Sequence, residues 1–429
     1  MTRMIDRASV ELKPSKITIL LGLVLLLVSF HSFGQNASGS VYSMFGIGEL
    51  NQTTSVQSRG MGYASIGLSS KYDVNLVNPA ANDQLGYYFN HMTNIGFYYA
   101  STNYKTDDAS ENGSYGGISN FNFWFKIGNK WSSIVGLGQY SNVGYNINQR
   151  DVNSFQSSDY SVLHQGSGGL NEFYFSNGYS IVDNLSLGLK LAFVFGNIEH
   201  TEWAASSQNS QQFYISDQVN IKDVYAEYSL NYRIQRPKFD VNFGLIFKNE
   251  NTLKGSTSSQ ITSQNTTSGE VDLIYEDQES TDDYVLPRKY GFGFSVNTEK
   301  ILLAGDVEYN QWSQAHIPDY ENDLNDTWRY SLGLELTPNR ASESYMSRVS
   351  YRIGGYTENS YLKIDGTTFS QYGITGGLSM PLRTGSAVNV AYQRKLNGTV
   401  QNNLIYESTN EISINLTIRN RWFQQRKFN

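Results

Sequence analysis

The amino-acid sequence predicts an all-β fold: a transmembrane antiparallel β-barrel of about 14 strands with an N-terminal plug. Three observations predict it. Segments of alternating apolar and polar residues recur along the chain. Many run to roughly 10 residues or more, the length a tilted strand needs to cross a bilayer. The connections alternate between very short and long, as at the two rims of a barrel. A soluble β-sandwich also alternates, but its strands are usually about 5–6 residues long.

Residues 1–34 have the form of a secretory signal. Arg3, Arg7, Lys13 and Lys16 make its basic region, and Ile17 to Phe30 its apolar one. Ser32-Phe33-Gly34 is a small-x-small cleavage site, which starts the mature chain at Gln35. The other reading is a transmembrane anchor, for which the apolar run is short. Residues 35–85 do not alternate over long runs and are rich in Gly, Ser and Asn. Such a segment either dangles on the periplasmic side or folds into the lumen. A barrel of this size is too wide to be filled by its own side chains, so a hatch over 35–85 is expected.

The barrel then occupies 86–429. Strands are expected near 86–104, 116–127, 131–147, 170–181, 184–200, 220–234, 238–251, 286–297, 300–313, 326–338, 346–358, 368–381, 386–397 and 409–422. Leu185, Leu187, Leu189, Leu191 and Phe193 point one way, and Ser186, Gly188, Lys190 and Ala192 the other. Ile412, Ile414, Leu416 and Ile418 alternate likewise with Ser413, Asn415, Thr417 and Arg419. Gly128-Asn129-Lys130, Val182-Asp183, Gln235-Arg236-Pro237 and Thr298-Glu299 read as tight turns. Between them, 148–169, 201–219, 252–285 and 314–325 read as long polar loops. An even strand count puts both barrel ends and the tight turns in the periplasm, and the loops at the cell surface.

Composition agrees. The mean hydropathy of -0.42 excludes a helical membrane protein but not a barrel, whose lumen residues and loops dilute the signal. With 31 Tyr, 22 Phe and 6 Trp the chain has the aromatics for girdles at both interfaces. Cysteine is absent, which excludes a thiolate metal site and a lipidated cysteine. The net charge of -7 carries no basic patch, which argues against nucleic acid.

Asn78-Pro79-Ala80 stands just before the first strand, downstream of Tyr42-Ser43-Met44-Phe45-Gly46-Ile47-Gly48 and Arg59-Gly60-Met61-Gly62. With the strand count and the hatch, these residues resemble the FadL family of outer-membrane transporters for long-chain fatty acids and other hydrophobic compounds, in the form found in Bacteroidota. The C-terminal run from Arg421 to Phe428 also resembles barrel ends of that group. The family's commoner glycine after Asn-Pro-Ala is Ala81 here. The resemblance implies a hatch that plugs the barrel, a ligand pocket above it, and lateral exit through a kink in the third strand. It also implies a monomer and diffusion without nucleotide or proton coupling.

The third strand carries Gly136, Gly138 and Gly144, with Gln139, Ser141 and Asn142 between. Interior glycine often marks a bulge or bend. Gln139 and Ser141 would face lipid in a regular strand, so a lateral gap at Gly138–Asn142 is one expectation. The other is that both sit near the interface, where polar groups cost little. Alternation points Lys190, Arg329, Arg352, Asp306 and Glu308 into the lumen. Arg352 and Lys190 are the candidate partners of a ligand carboxylate. The alternative is an ion-pair network that braces the barrel or binds the hatch. The acidic run Glu270, Asp272, Glu276, Asp277, Glu279, Asp282, Asp283 reads as a solvated loop, with a surface divalent-ion site as the alternative, although the spacing matches no defined calcium loop. Val271 to Tyr275 reads as a small hairpin arm that extends the barrel above the membrane.

His91, His164, His200 and His316 are scattered, and no nucleophile elbow or phosphate loop appears. No enzyme, metal or cofactor is expected. The leading expectation is passive outer-membrane uptake of hydrophobic small molecules, with lipids and an apolar ligand as partners. The rival is a non-transporting barrel that acts as scaffold or shuttle subunit of a secretion or assembly complex, with protein partners. A filled lumen with exposed apolar loops would favour the rival, and a ligand-sized apolar pocket would favour transport. A water-filled polar pore is a third reading.

Overall fold

A computed structural model describes residues 39–86, 88–153, 158–206, 210–318, 324–364, 366–383 and 385–421. The expected signal and the chain beyond Arg421 lie outside the described residues.

One antiparallel sheet closes on itself. Its strands are β1 (Glu49–Leu50), β2 (His91–Lys105), β3 (Ser110–Lys126), β4 (Trp131–Gln139), β5 (Ser141–Asn153), β6 (Ser158–Val182), β7 (Leu185–Ser206), β8 (Gln211–Gln235) and β9 (Asp240–Lys248). They continue with β10 (Asn251–Asn265), β11 (Val271–Leu286), β12 (Lys289–Asn297), β13 (Ile301–Asn310), β14 (Thr327–Leu336), β15 (Ser350–Asn359), β16 (Ser370–Pro381), β17 (Ala387–Asn397) and β18 (Tyr406–Asn420). The pairs β4/β5, β9/β10 and β11/β12 are single staves broken once, and β1 belongs to the N-terminal segment. Fourteen staves remain, and β18 zips to β2 from Tyr406 opposite Lys105 to Asn420 opposite His91.

Alternation sets the two faces. On β7, Leu187, Leu191 and Phe193 are 40–44% exposed, whereas Ser186, Ala192 and Val194 are buried. On β18, Ile412, Ile414 and Ile418 are exposed, whereas Ser413, Asn415 and Thr417 are buried. Side chains alternate across a strand, so the outer face is an apolar belt and the inner face small or polar.

Three of the expected long loops are largely strand. The stretches 148–169, 201–219 and 252–285 are taken up by β5 with β6, β7 with β8, and β10 with β11. β6 and β8 each run 25 residues, roughly 80 Å of chain at about 3.3 Å per residue. Above the membrane neither face needs to be apolar. The period-2 signal therefore fades there, while the backbone ladder continues.

Residues 39–85 lie against the inner wall. The Gly62 N–H donates to Thr375 Oγ1 at 2.8 Å on β16, and the Ile66 N–H to Asp306 Oδ2 at 2.7 Å on β13. Arg59 pairs with Glu411 of β18 at 2.8 Å, and Arg233 of β8 with Asp83 at 2.6 Å. The wall is shaped for this approach. A Cβ at Gly178 or Gly188 would fall 2.3 Å from the Pro79 carbonyl oxygen or 2.7 Å from the Ala80 nitrogen. A Cβ at Gly244, Gly293 or Gly354 would strike the backbone of Ile66, Gly67 or Met61.

Candidate functional site

The Asn-Pro-Ala tripeptide is a structural device. Asn78 caps the 3-10 turn Pro79–Gln84 by accepting from the Ala80 N–H at 3.1 Å. Its amide donates to the Ile66 carbonyl at 2.7 Å and to Leu230 of β8 at 3.2 Å. Proline follows where its missing N–H costs nothing. The motif thus ties residues 65–85 into one unit and seats that unit against β6, β7 and β8. Asp83, in the same turn, has its carboxyl pushed above the usual range by burial, against the pull of Arg233.

The third stave breaks at Tyr140, between β4 and β5. The Tyr140 N–H donates to Leu170 at 2.8 Å, and its carbonyl accepts from Asn51 of the N-terminal segment at 2.9 Å. β4 pairs with β3 only from Gly138 down to Ser132. Among the described residues no pairing joins β5 to β3, so the upper edges of the two strands part. β1 fills the base of that opening, with Glu49 opposite Asn142 and Leu50 opposite Ser141. The Gly144 N–H donates to Ser43 at 3.1 Å in the same place.

The break also corrects the expected faces. Odd-numbered residues change face across the break. Leu137 is exposed on β4, while Val143 and Tyr145 of β5 are buried. One residue spent at the break reverses the pleat, because the side-chain period is two. Ser141 is consequently buried and accepts from the Leu170 N–H at 3.2 Å. Gln139 bonds Tyr98 and Asn142, each at 3.3 Å. Gly136 makes room for the Tyr174 ring, and Gly138 for Thr53.

Above residues 49–53 lies a cavity of about 230 Å³. Its wall carries three ion pairs among aromatic, apolar and polar side chains. Lys190 meets Glu172 at 2.8 Å, Lys289 meets Glu227 at 2.7 Å, and Arg329 meets Glu358 at 3.0 Å. Lys248 lies 5.2 Å from the Tyr225 ring centre, and Arg329 lies 4.3 Å from that of Tyr356. Tyr140, Trp312 and Phe369 add apolar surface.

Lys190 lines this cavity, but Arg352 does not. Arg352 stands near the tight-turn end of β15, where its Nε donates to Glu335 at 2.7 Å and its Nη2 lies 3.6 Å from Asp73. Glu335 also takes Arg340 and Gln57, each at 3.0 Å, and Asp73 also takes Arg419 at 3.0 Å. Arg352 is therefore engaged with Glu335 and with Asp73 of the N-terminal segment, outside the cavity that Lys190 lines. Alternation had placed it in the lumen, but it carries no information on which carboxylate waits there. Asp306, also read as a lumen charge, accepts from the backbone of Ser65, Ile66 and Gly67. No sequence signal marked that cluster.

A model of the protein family described as BamG matches residues 16–429. The chain belongs to the BamG family. No curated protein matches it. Among solved structures, this BamG-family chain is similar to the Pseudomonas putida toluene transporter TodX, with a TM-score of 0.61 at 12% identity, covering 86% of this chain and 98% of that one. It is similar to the Ralstonia pickettii toluene transporter TbuX, with a TM-score of 0.56 at 16% identity over 84% and 97% of the two chains. A Pseudomonas aeruginosa FadL homologue gives 0.59 at 11% identity over 87% and 100%. At such identities the likeness is one of fold: the BamG-family chain is a FadL-type barrel.

Proposed function

We propose that this protein is an outer-membrane barrel, of the type found in Bacteroidota, that works as a closed scaffold subunit of a secretion or assembly complex. The observation that carries the reading is the filled interior. The cavity of about 230 Å³ falls below the roughly 300–1,000 Å³ of ligand pockets, and three ion pairs stand in its wall. An acyl chain would gain little there, and residues 39–85 act as the hatch that closes the path. Exposed Val271, Leu273 and Ile274 on a long ribbon give a surface for a protein. Membership of the BamG family adds weight. Native mass spectrometry of the barrel, purified in mild detergent from its own membrane, tests it. Stoichiometric protein partners and no apolar ligand are expected. An isolated barrel carrying fatty acids that oleate displaces would overturn the reading.

A second reading is passive uptake of hydrophobic small molecules such as long-chain fatty acids, gated by the hatch with lateral exit. The break at Tyr140 favours it, as does the likeness in fold to toluene transporters. In this reading Gly136, Gly138, Gln139, Ser141 and Asn142 frame the exit, and Lys190 meets the ligand carboxylate. A disulfide engineered across the upper edges of β3 and β5 should then abolish oleate uptake by whole cells. Uptake at the wild-type rate with the bridge formed would remove the lateral route.

A further inference from the structure

β11 and β10 form a ribbon on the rim opposite the tight turns, paired from Asn251 with Leu286 to Gln264 with Val271. On its other side, the one pairing of β11 among the described residues is the bridge from Val285 to His316. From Val271 to Ser280 the ladder of β11 runs to β10 alone among the described residues, and those of β12 run to β9 and β13. The backbone donors and acceptors on that other side of β11 are a template for another strand. Proteins commonly blunt such edges by keeping them short or by placing charges, lysine above all, or proline on them. β11 is 16 residues long, carries no proline, and its charges are all acidic, so they repel a like strand but not a basic one.

The side chains say what strand would fit. Val271, Leu273 and Ile274, at the tip, are 55–59% exposed. Asp272, Glu276, Asp277 and Glu279 give the same stretch its charge. The neighbouring upper strands add no cation: Gln211 to Ile221 and Gly255 to Leu286 contain no lysine or arginine. A second copy of this chain would set carboxylate against carboxylate, which opposes pairing.

We propose that β11 docks, by strand addition, an extended segment of a partner protein in which apolar residues alternate with lysine or arginine. Main-chain hydrogen bonds would give the affinity, and the acidic and apolar side chains the choice of partner. The inference rests on the complex-subunit reading.

The test uses the full-length chain in its native outer membrane, with a photo-crosslinking residue in place of Gln278, purified in mild detergent. One partner should crosslink, and digestion should place the link in an extended segment bearing lysine or arginine. The pair Asp277→Lys with Glu279→Lys should lower the crosslinked yield at least tenfold, and Leu273→Lys should do so independently. Both variants should keep the heat-modifiable gel mobility of a folded barrel, because the ribbon tip lies outside the ring. A partner still linked at wild-type yield in both variants would overturn the docking site and leave the complex reading standing. A link to a second copy of the chain would overturn the basic-partner assignment. A wild-type barrel that purifies without any partner would overturn the complex reading, and this inference with it.

Discussion

Replacing Gly244 with valine is expected to leave the barrel closed and to force the N-terminal segment off the wall. A Cβ at this position would lie 1.9 Å from the Ile66 carbonyl oxygen and 2.6 Å from its carbon. Both atoms are backbone, so no side-chain rotation relieves the contact. Ile66 is also held from both ends, its N–H on Asp306 and its carbonyl under the Asn78 amide. Overpacking a core costs about 1–3 kcal/mol when side chains adjust. Here the relief is movement of the segment itself. A barrel of this size without its filling has an open interior. Planar-bilayer recording should show steady ion conductance in Gly244→Val and a silent wild type. Protease should cut residues 39–85 in the variant alone. A silent, protease-resistant variant would show that the segment is not the seal.

Glu335→Ala should loosen the same segment at the tight-turn rim. Glu335 is buried and accepts from Arg352, Arg340 and Gln57. Its removal leaves the buried Arg352 guanidinium with Asp73, 3.6 Å away, which Arg419 already shares. Breaking a buried pair by deleting one partner costs about 3–5 kcal/mol, mostly as uncompensated charge. The guanidinium chloride midpoint should fall accordingly, and amide exchange should rise first around Gln57 and Asp73. The double variant Glu335→Leu with Arg352→Met should recover most of the midpoint, since apolar replacement of a whole buried pair is often neutral. An unchanged midpoint in Glu335→Ala would mean that the network contributes nothing to stability.

The staves were legible because each is a local pattern. Leu187 and Ser186, or Ile412 and Ser413, declare their faces without reference to the rest of the chain. The break in the third stave was half legible. Gly138, Gln139 and Ser141 marked an irregularity, but the reversal that buries Val143 and Tyr145 depends on one residue at Tyr140 that no periodicity announces. Of the paired ribbons above the belt only the arm at Val271 to Tyr275 was legible, because Ser, Thr and Gln on β10 alternate with nothing apolar.

By itself, then, the sequence determined the closed antiparallel barrel, its inward and outward faces outside the broken third stave, and the family-like tripeptide before its first strand. These follow from hydrophobic periodicity and turn chemistry, which act between residues a few positions apart. Only the tertiary structure decided that Arg352 serves Glu335 and Asp73, that Lys190 faces Glu172, and that β1 occupies the opening left by β3. Those partners meet through sheet register and the folding-back of the N-terminal segment, which brings Asp73 to Arg352 of β15. Electrostatic pairing and close packing depend on which atoms arrive within a few ångströms, and nothing in a one-dimensional pattern specifies that.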